Sequence, residues 1–582
     1  MKFLSLTPIL MRLGMQSPPS SQKSLYITLT PRFESNAAVE VDVQMRFPAP
    51  ESSVTASLLF SVDEIAEIPG LQIKNGSLEA MDDYGVLRLI AHPDTSVPQI
   101  SSSSWIPTRR PRGNIQISYT ALPRQVTNAT RSGPAMDFRA QDDGLLGAGY
   151  GLLCVPFDFE STYDVRLHWD LSLGPIGTQT AWTFGDELDA ERNMSPIGLL
   201  STYLATGPLQ KFDHECSNAD ENFNIYWLGQ PPFDACDIGK SIQSIFHALA
   251  DFFSDQNEPY RVFLRHNPYP GTNTGTALDR SFMFSYDDSD YSQTGDNIFR
   301  VMVLSHEMVH NWVRFSEDRE TTTSNWYAEG LAEYYSLFFL FRNGIISEKV
   351  LLRELNRRLH AYYTSPLVGA SNEEAAKYTW SSTAAQRLPY RRGLVFAIIL
   401  NEIIWKGSKE RYLLDDAVLD VLKSVQLGLS VGPEEFIKRV TSLANDEDGI
   451  LDTLYHKMTT GESLLIPSES SLSWVPSLSP VTLCCQEQYE YELGFDEMGA
   501  RVDHVIRDLV PSSRAAQSGL RNGDRLIGGF QLNDTELDYD RNLTAEVERS
   551  GISSTFNVDF WPHSYQSVKS CLYEFPSPHA EL

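Results

Sequence analysis

Apolar and polar residues alternate strictly between positions 39 and 47. Val39, Val41, Val43, Met45 and Phe47 are separated by Glu40, Asp42, Gln44 and Arg46. A period of two predicts a strand with one buried face. Ile115, Ile117 and Tyr119 repeat the pattern, as do Val165, Leu167, Trp169 and Leu171. Helical periodicity is almost absent in this part of the chain, so residues 25–178 read as a β-rich, sandwich-like domain behind a tail over 1–24. Within it, the Ser-, Pro- and Arg-rich stretch Ser101–Gly113 reads as a solvated loop carrying Arg109, Arg110 and Arg112.

The period changes at about Trp182. Ile242, Ile245, Phe246, Leu249, Phe252 and Phe253 fall at helical spacing and define an amphipathic helix, on which His247 reads as a surface histidine. Arg261–Leu264 is a short strand. Helical patterns then follow over Phe299–Phe315, Asn325–Phe341, Glu348–Tyr363, Tyr390–Trp405 and Pro433–Ala444. This predicts an α+β domain over 179–465. The Ser- and Pro-rich run Pro467–Pro480 reads as a linker, placed at 466–480. Beyond it, over 481–582, β pattern returns, with Phe556, Val558 and Phe560 alternating. The fold class expected is multidomain α+β.

Composition narrows the function. The chain has 582 residues, 42% hydrophobic and 21% charged, enough for about three packed cores. Its net charge is −29, from 76 acidic and 47 basic residues. That excludes nucleic acid as a partner, because such binding rests on Lys and Arg neutralising phosphates. It also disfavours anionic membranes, and no apolar run is long enough to span a bilayer. Six cysteines are too few for a disulfide framework in a chain this long and read mostly as small buried hydrophobes. The apolar run Phe3–Met11 is interrupted by Pro8 and lacks a clean cleavage site, so the cytoplasm is the expected compartment.

The strongest chemical signal is Ser305-His306-Glu307-Met308-Val309-His310. Residues four apart on a helix lie one above the other, so His306 and His310 present two imidazoles to one point. A hydrolytic zinc site needs three protein ligands and an open position for water. Glu307, on the adjoining face, is placed to move a proton between that water and the leaving amine. Eighteen residues after His310 comes Glu329, inside the helical pattern Trp326–Tyr335 and behind a Thr- and Ser-rich cap. A neighbouring helix can thus supply the third ligand, with Glu333 one turn further on as an outer hydrogen-bond partner for a ligand histidine. Unpaired His and Glu on a helix flanked by Leu304, Val309 and Trp312 are costly, and one zinc ion per chain removes that cost.

The combination resembles the gluzincin zinc metallopeptidases, and the wording around Glu329 resembles the glycyl aminopeptidase family whose members carry a C-terminal PDZ domain. The resemblance is concentrated at 260–405 and 490–530. It implies a thermolysin-like catalytic domain over 179–465 and a PDZ domain over 481–582. Glu492-Leu493-Gly494-Phe495 resembles the PDZ loop that binds a peptide's terminal carboxylate, which makes Leu493, Gly494 and Phe495 candidate substrate-binding residues. Pro511–Ile527 follows the PDZ pattern of small residues and then Gly-Leu-x-x-Gly-Asp. Tyr390-Arg391-Arg392-Gly393 resembles the family's helix start, in which the tyrosine hydroxyl steadies the oxyanion; Arg392 replaces the usual Lys. Gly275–Ser281 corresponds to the segment whose Glu holds the substrate amine. Asp279 stands in that place and reaches about 1.5 Å less far.

The function expected is a zinc-dependent aminopeptidase acting on peptide or protein substrates, removing small N-terminal residues. Two alternatives stay open: an endopeptidase on the same zinc centre, and a PDZ protein that binds peptide C-termini and has lost catalysis.

Overall fold

The computed structural model describes residues 23–576, apart from 51–56, 97–99, 128–129, 131–132, 160, 213–221, 256–257, 269–273, 289–296, 317, 380 and 528–531. The apolar run Phe3–Met11 and Cys216 lie outside the described residues. The chain forms two compact units, 1–297 and 298–582. The architecture is multidomain α+β, with β structure first and helices concentrated in the second unit.

In the first unit the alternating segments become neighbouring strands of a seven-stranded sheet. The strand Ala37–Pro48 lies between Lys23–Glu34 and Asn114–Ala121. Val41, Val43, Met45 and Phe47 face the core, with Ile115, Ile117 and Tyr119 on the facing strand. Ser101–Gly113 is not a loop throughout: Ile100–Pro107 is a strand pairing with both Leu59–Ile65 and Leu89–Asp94. Its serines occupy half-buried sheet positions, where a small polar side chain is tolerated once the backbone is paired. Arg109 forms an ion pair with buried Asp82.

A five-stranded sheet follows in the same unit. Phe223–Trp227, Tyr260–His266 and Ser281–Tyr286 run parallel in it, and Thr274–Leu278 pairs antiparallel at one edge. Helix α1 (Ala235–Phe252) is the crossover between the first two. It buries Ile242, Ile245, Phe246 and Leu249 and leaves His247 exposed.

The second unit contains α2 (Asn297–Val309), α3 (Asn325–Arg342), α4 (Glu348–Tyr363), α5 (Asn372–Tyr378), α6 (Thr383–Gly407), α7 (Leu414–Gln426), α8 (Pro433–Ala444) and α9 (Ile450–Thr460). The sequence pattern locates α3, α4 and α8 closely. It starts α6 too late, at Tyr390, because Pro389 reads as a boundary. The helix instead runs through Pro389 from a Ser382 cap. The Ser- and Pro-rich run is not a free connector. Leu472 and Trp474 are buried, and Ser470 donates to Glu402 of α6 at 2.8 Å.

The C-terminal module of this unit pairs Thr482–Tyr491 with His563–Glu574 and forms a three-stranded sheet from Arg525–Leu526, Leu543–Glu548 and Phe556–Phe560. Its short helices are α10 (Glu497–Val502), α11 (Arg514–Gln517) and α12 (Leu532–Leu537). Gly519 and Gly523 adopt φ of 105° and 88° at the expected turns. A correction concerns the cysteines: Cys485 and Cys571 form a disulfide across the strand pair, and Cys236 is also disulfide-bonded. Strand register, which composition does not reveal, brings Cys485 opposite Cys571.

Where this module meets α4, His360 and His563 are buried beside Tyr491, Tyr539 and Trp561. Burial pushes His360 down to about 4 and His563 to about 3 from 6.5. Both are therefore neutral in the fold, while the unfolded chain takes up protons below 6.5. The contribution to stability is complete above that pH and falls on acidification toward the folded values, by about 1.4 kcal/mol per pH unit for each histidine. Thermal unfolding is expected to shift to lower temperature between pH 6.5 and 4. His563→Phe, which keeps the ring, should flatten that dependence, and an unchanged slope would refute the assignment.

Candidate metal centre

Three helices of the second unit build the site. Helix α2 presents His306, His310 follows directly on its last residue one turn further along, and α3 presents Glu329. Their ligand atoms lie within 4.8 Å of one another. His306 Nε2 and His310 Nε2 each lie 3.2 Å from the same oxygen, Glu329 Oε2. The His310 contact has no hydrogen-bonding geometry. Ligand bonds of roughly 2.0–2.1 Å in a tetrahedral centre put ligand atoms about 3.3 Å apart. The separations suit a shared cation better than a pair of hydrogen bonds.

Helix α6 crosses α3 at two glycines. A Cβ on Gly330 would meet Gly393 Cα at 2.3 Å, and one on Gly393 would meet the Trp326 carbonyl oxygen at 2.2 Å. Only residues without a side chain allow this approach. It sets Tyr390 beside the imidazoles: the Tyr390 and His306 rings stack with centroids 5.7 Å apart and planes 8° from parallel. Glycine follows Glu329 directly in one motif and follows Tyr390 by three residues in the other, so both motifs contain the contact that brings them together.

His306, Glu307 and Glu329 are 1–2% exposed. Burial would lower the His306 pKa, but Glu329 and Glu333 outweigh it and raise it to about 10. Burial likewise opposes ionisation of Glu329, yet His310 and His306 hold it at about 2. A buried cluster of carboxylates that draws a proton onto imidazole offers the same place to a divalent cation. Burial, with the Glu329 and Glu307 carboxylates nearby, drives the Tyr390 hydroxyl well above 10, so it stays protonated as a donor.

Glu333 is not a surface residue. Its Oε1 lies 3.3 Å from His306 Nδ1, and its other oxygen accepts from Arg358 Nε of α4. Arg358 also donates to the Glu354 carboxylate at 3.2 Å. Glu333 is held far below the usual carboxylate range: burial opposes this, and Arg358 and His306 outweigh it. Sequence reading missed Arg358, although the Glu354–Arg358 spacing of four on one helix was a visible signal.

The remaining candidates belong to other elements. Asp279 belongs to the first unit, in the two-residue turn between Thr274–Leu278 and Ser281–Tyr286, with its N–H donating to Ser201 O at 3.1 Å. Leu493 and Phe495 pack into the C-terminal module's core, and Gly494 takes φ 81°. The segment after Phe495 forms α10, started by the Asp496 cap. Arg392, in place of Lys, is buried and donates to Asn372 Oδ1 and to the carbonyls of Val368 and Ala370.

Residues 300–392 match the M61 glycyl aminopeptidase family, a span that contains all three converging side chains together with Glu307 and Tyr390. The fold is similar to that of an aminopeptidase N family protein from Idiomarina loihiensis, with TM-score 0.63 at 13% identity over 95% of this chain and 98% of that one. An M1 zinc metallopeptidase from Deinococcus radiodurans aligns with TM-score 0.47 at 15% identity, over 79% of this chain and 98% of that one. No curated protein matches the chain by sequence. The family match supports a hydrolytic peptidase of the metallopeptidase and aminopeptidase kind. No helix among the described residues is long and apolar enough to cross a membrane.

Proposed function

We propose that the protein is a zinc-dependent aminopeptidase whose metal is held by His306, His310 and Glu329. The observation that carries this reading is the convergence of two imidazole nitrogens on one Glu329 oxygen, each at 3.2 Å. Nitrogen, nitrogen and carboxylate oxygen, with a fourth position left over, is the donor set of hydrolytic zinc. When bound, zinc supplies Lewis acidity and makes hydroxide available near neutral pH.

The chain's own groups then divide the work. Glu307 takes the proton of the attacking water and returns it to the leaving amine. Tyr390 donates its hydroxyl to the carbonyl oxygen as negative charge develops there. Glu333, steadied by Arg358, stands 3.3 Å from His306 Nδ1, where its charge favours the tautomer that turns Nε2 toward the ligand position. Asp279 is proposed to hold the substrate's free amine, in the place given by the resemblance. The C-terminal module is read as PDZ-like. The Cys485–Cys571 disulfide favours an oxidising compartment over the cytoplasm expected from composition.

Elemental analysis should find about one zinc per chain, and Gly- and Ala-aminoacyl reporters should be cleaved only with a free amine. Cleavage that survives N-acetylation would favour the endopeptidase reading. A folded preparation, purified without chelator and free of zinc, would sink the metal assignment.

A further inference from the structure

Tyr390 lies in a turn of α6 that has lost one of its backbone bonds. Pro389 has no N–H, so the Ala385 carbonyl four residues earlier receives no helical donor from it. Side chains secure that turn instead. Arg387 and Arg391, on either side of Tyr390, both donate to Glu536 Oε2 of α12, Arg391 at 2.7 Å. Arg391 also donates to the Ala361 carbonyl of α4 at 3.2 Å. Glu536 is 5% exposed and is held below the usual carboxylate range: burial opposes this, and the two guanidiniums outweigh it.

The carboxylate is itself firmly placed. Its neighbour Thr535 shares a hydrogen bond of 3.1 Å with the buried Tyr491 hydroxyl, and Arg357 of α4 donates to the Leu537 carbonyl. The same module grips α6 at its first turn, where the Thr383 N–H donates to Glu497 of α10 at 3.1 Å. It grips α4 through Asn356, whose amide exchanges two hydrogen bonds with the Tyr573 backbone. Helix α4 carries Arg358 and α6 carries Tyr390, so the module holds the two helices that support the metal centre from behind.

We propose that Glu536 is a positioning residue for peptide hydrolysis: through Arg387 and Arg391 it fixes the proline-interrupted turn of α6 and hence the Tyr390 hydroxyl. The proposal rests on the reading of Tyr390 as oxyanion donor. It gives the C-terminal module a part in turnover that needs no peptide in its own groove. Small displacements of a catalytic donor are costly to rate, on the order of 100-fold for 1 Å.

The test is a double-mutant cycle on the full-length, zinc-loaded protein. It combines Glu536→Gln with Tyr390→Phe and reads kcat and KM on a free-amine Ala reporter, with zinc content and circular dichroism as controls. Glu536→Gln should lower kcat about 10- to 100-fold, leave KM within about twofold, and retain zinc. In the Tyr390→Phe background it should have almost no further effect. A full loss in that background, or an unchanged kcat in the single variant, overturns the proposal. Full activity of Tyr390→Phe alone would instead overturn the oxyanion reading, and the proposal with it. If Glu536→Gln does not fold, Arg387→Gln removes one arm of the same contact and is held to the same cycle.

Discussion

Glu307→Gln is expected to reduce kcat at least about 1,000-fold while the metal stays bound. Glutamine keeps the shape of the side chain and its ability to hydrogen-bond, and loses only the basic oxygen. Glu307 is 1% exposed and stands outside the three converging ligand atoms, so its removal as a base leaves the donor set complete. A positioned general base contributes about 10²–10⁴ in rate, and here one carboxylate serves both proton transfers. Turnover of an Ala reporter and zinc content, measured on one preparation, decide the matter. Activity within tenfold of wild type would remove Glu307 from catalysis. Loss of zinc with loss of activity would make it a ligand.

The second large effect is expected at Tyr390. Tyr390→Phe should lower kcat about 10²–10³-fold, the usual cost of one oxyanion donor, with KM little changed. The ring stacks on His306 and is buried, so phenylalanine preserves the packing and only the hydroxyl is lost. Burial and the carboxylates of Glu329 and Glu307 push that hydroxyl well above its ordinary value, which keeps it a donor. A loss confined to KM would instead make Tyr390 a group that binds the ground-state substrate.

Much of the centre was legible because a helix turns a spacing into a position. His306 and His310, four residues apart, had to share a face once Leu304, Met308, Val309 and Trp312 marked that helix as buried. Glu329 was legible as a helical carboxylate on the next segment. The strands were legible for the same reason, with a period of two in place of 3.6. The loop reading of Ser101–Gly113 held for 108–113, with its arginines, and failed over 101–107, because serine speaks for solvent until a paired edge on each side claims the backbone. Tyr390 was singled out, but its helix was begun there, just after Pro389, since a proline costs a helix more locally than buried neighbours reveal.

What the sequence by itself determined were the local periodicities, the two imidazoles on one face, the carboxylate between them and the acidic excess of the chain. Only the tertiary structure decided what crosses between elements: the Gly330–Gly393 approach, the pairing of Cys485 with Cys571, the hold of Arg358 on Glu333 and the clasp of Glu536 on Arg387 and Arg391. The division has a physical basis. Backbone geometry repeats over a few residues and writes itself into spacing, whereas a contact between distant segments depends on the packing of everything around it, and no local pattern records that.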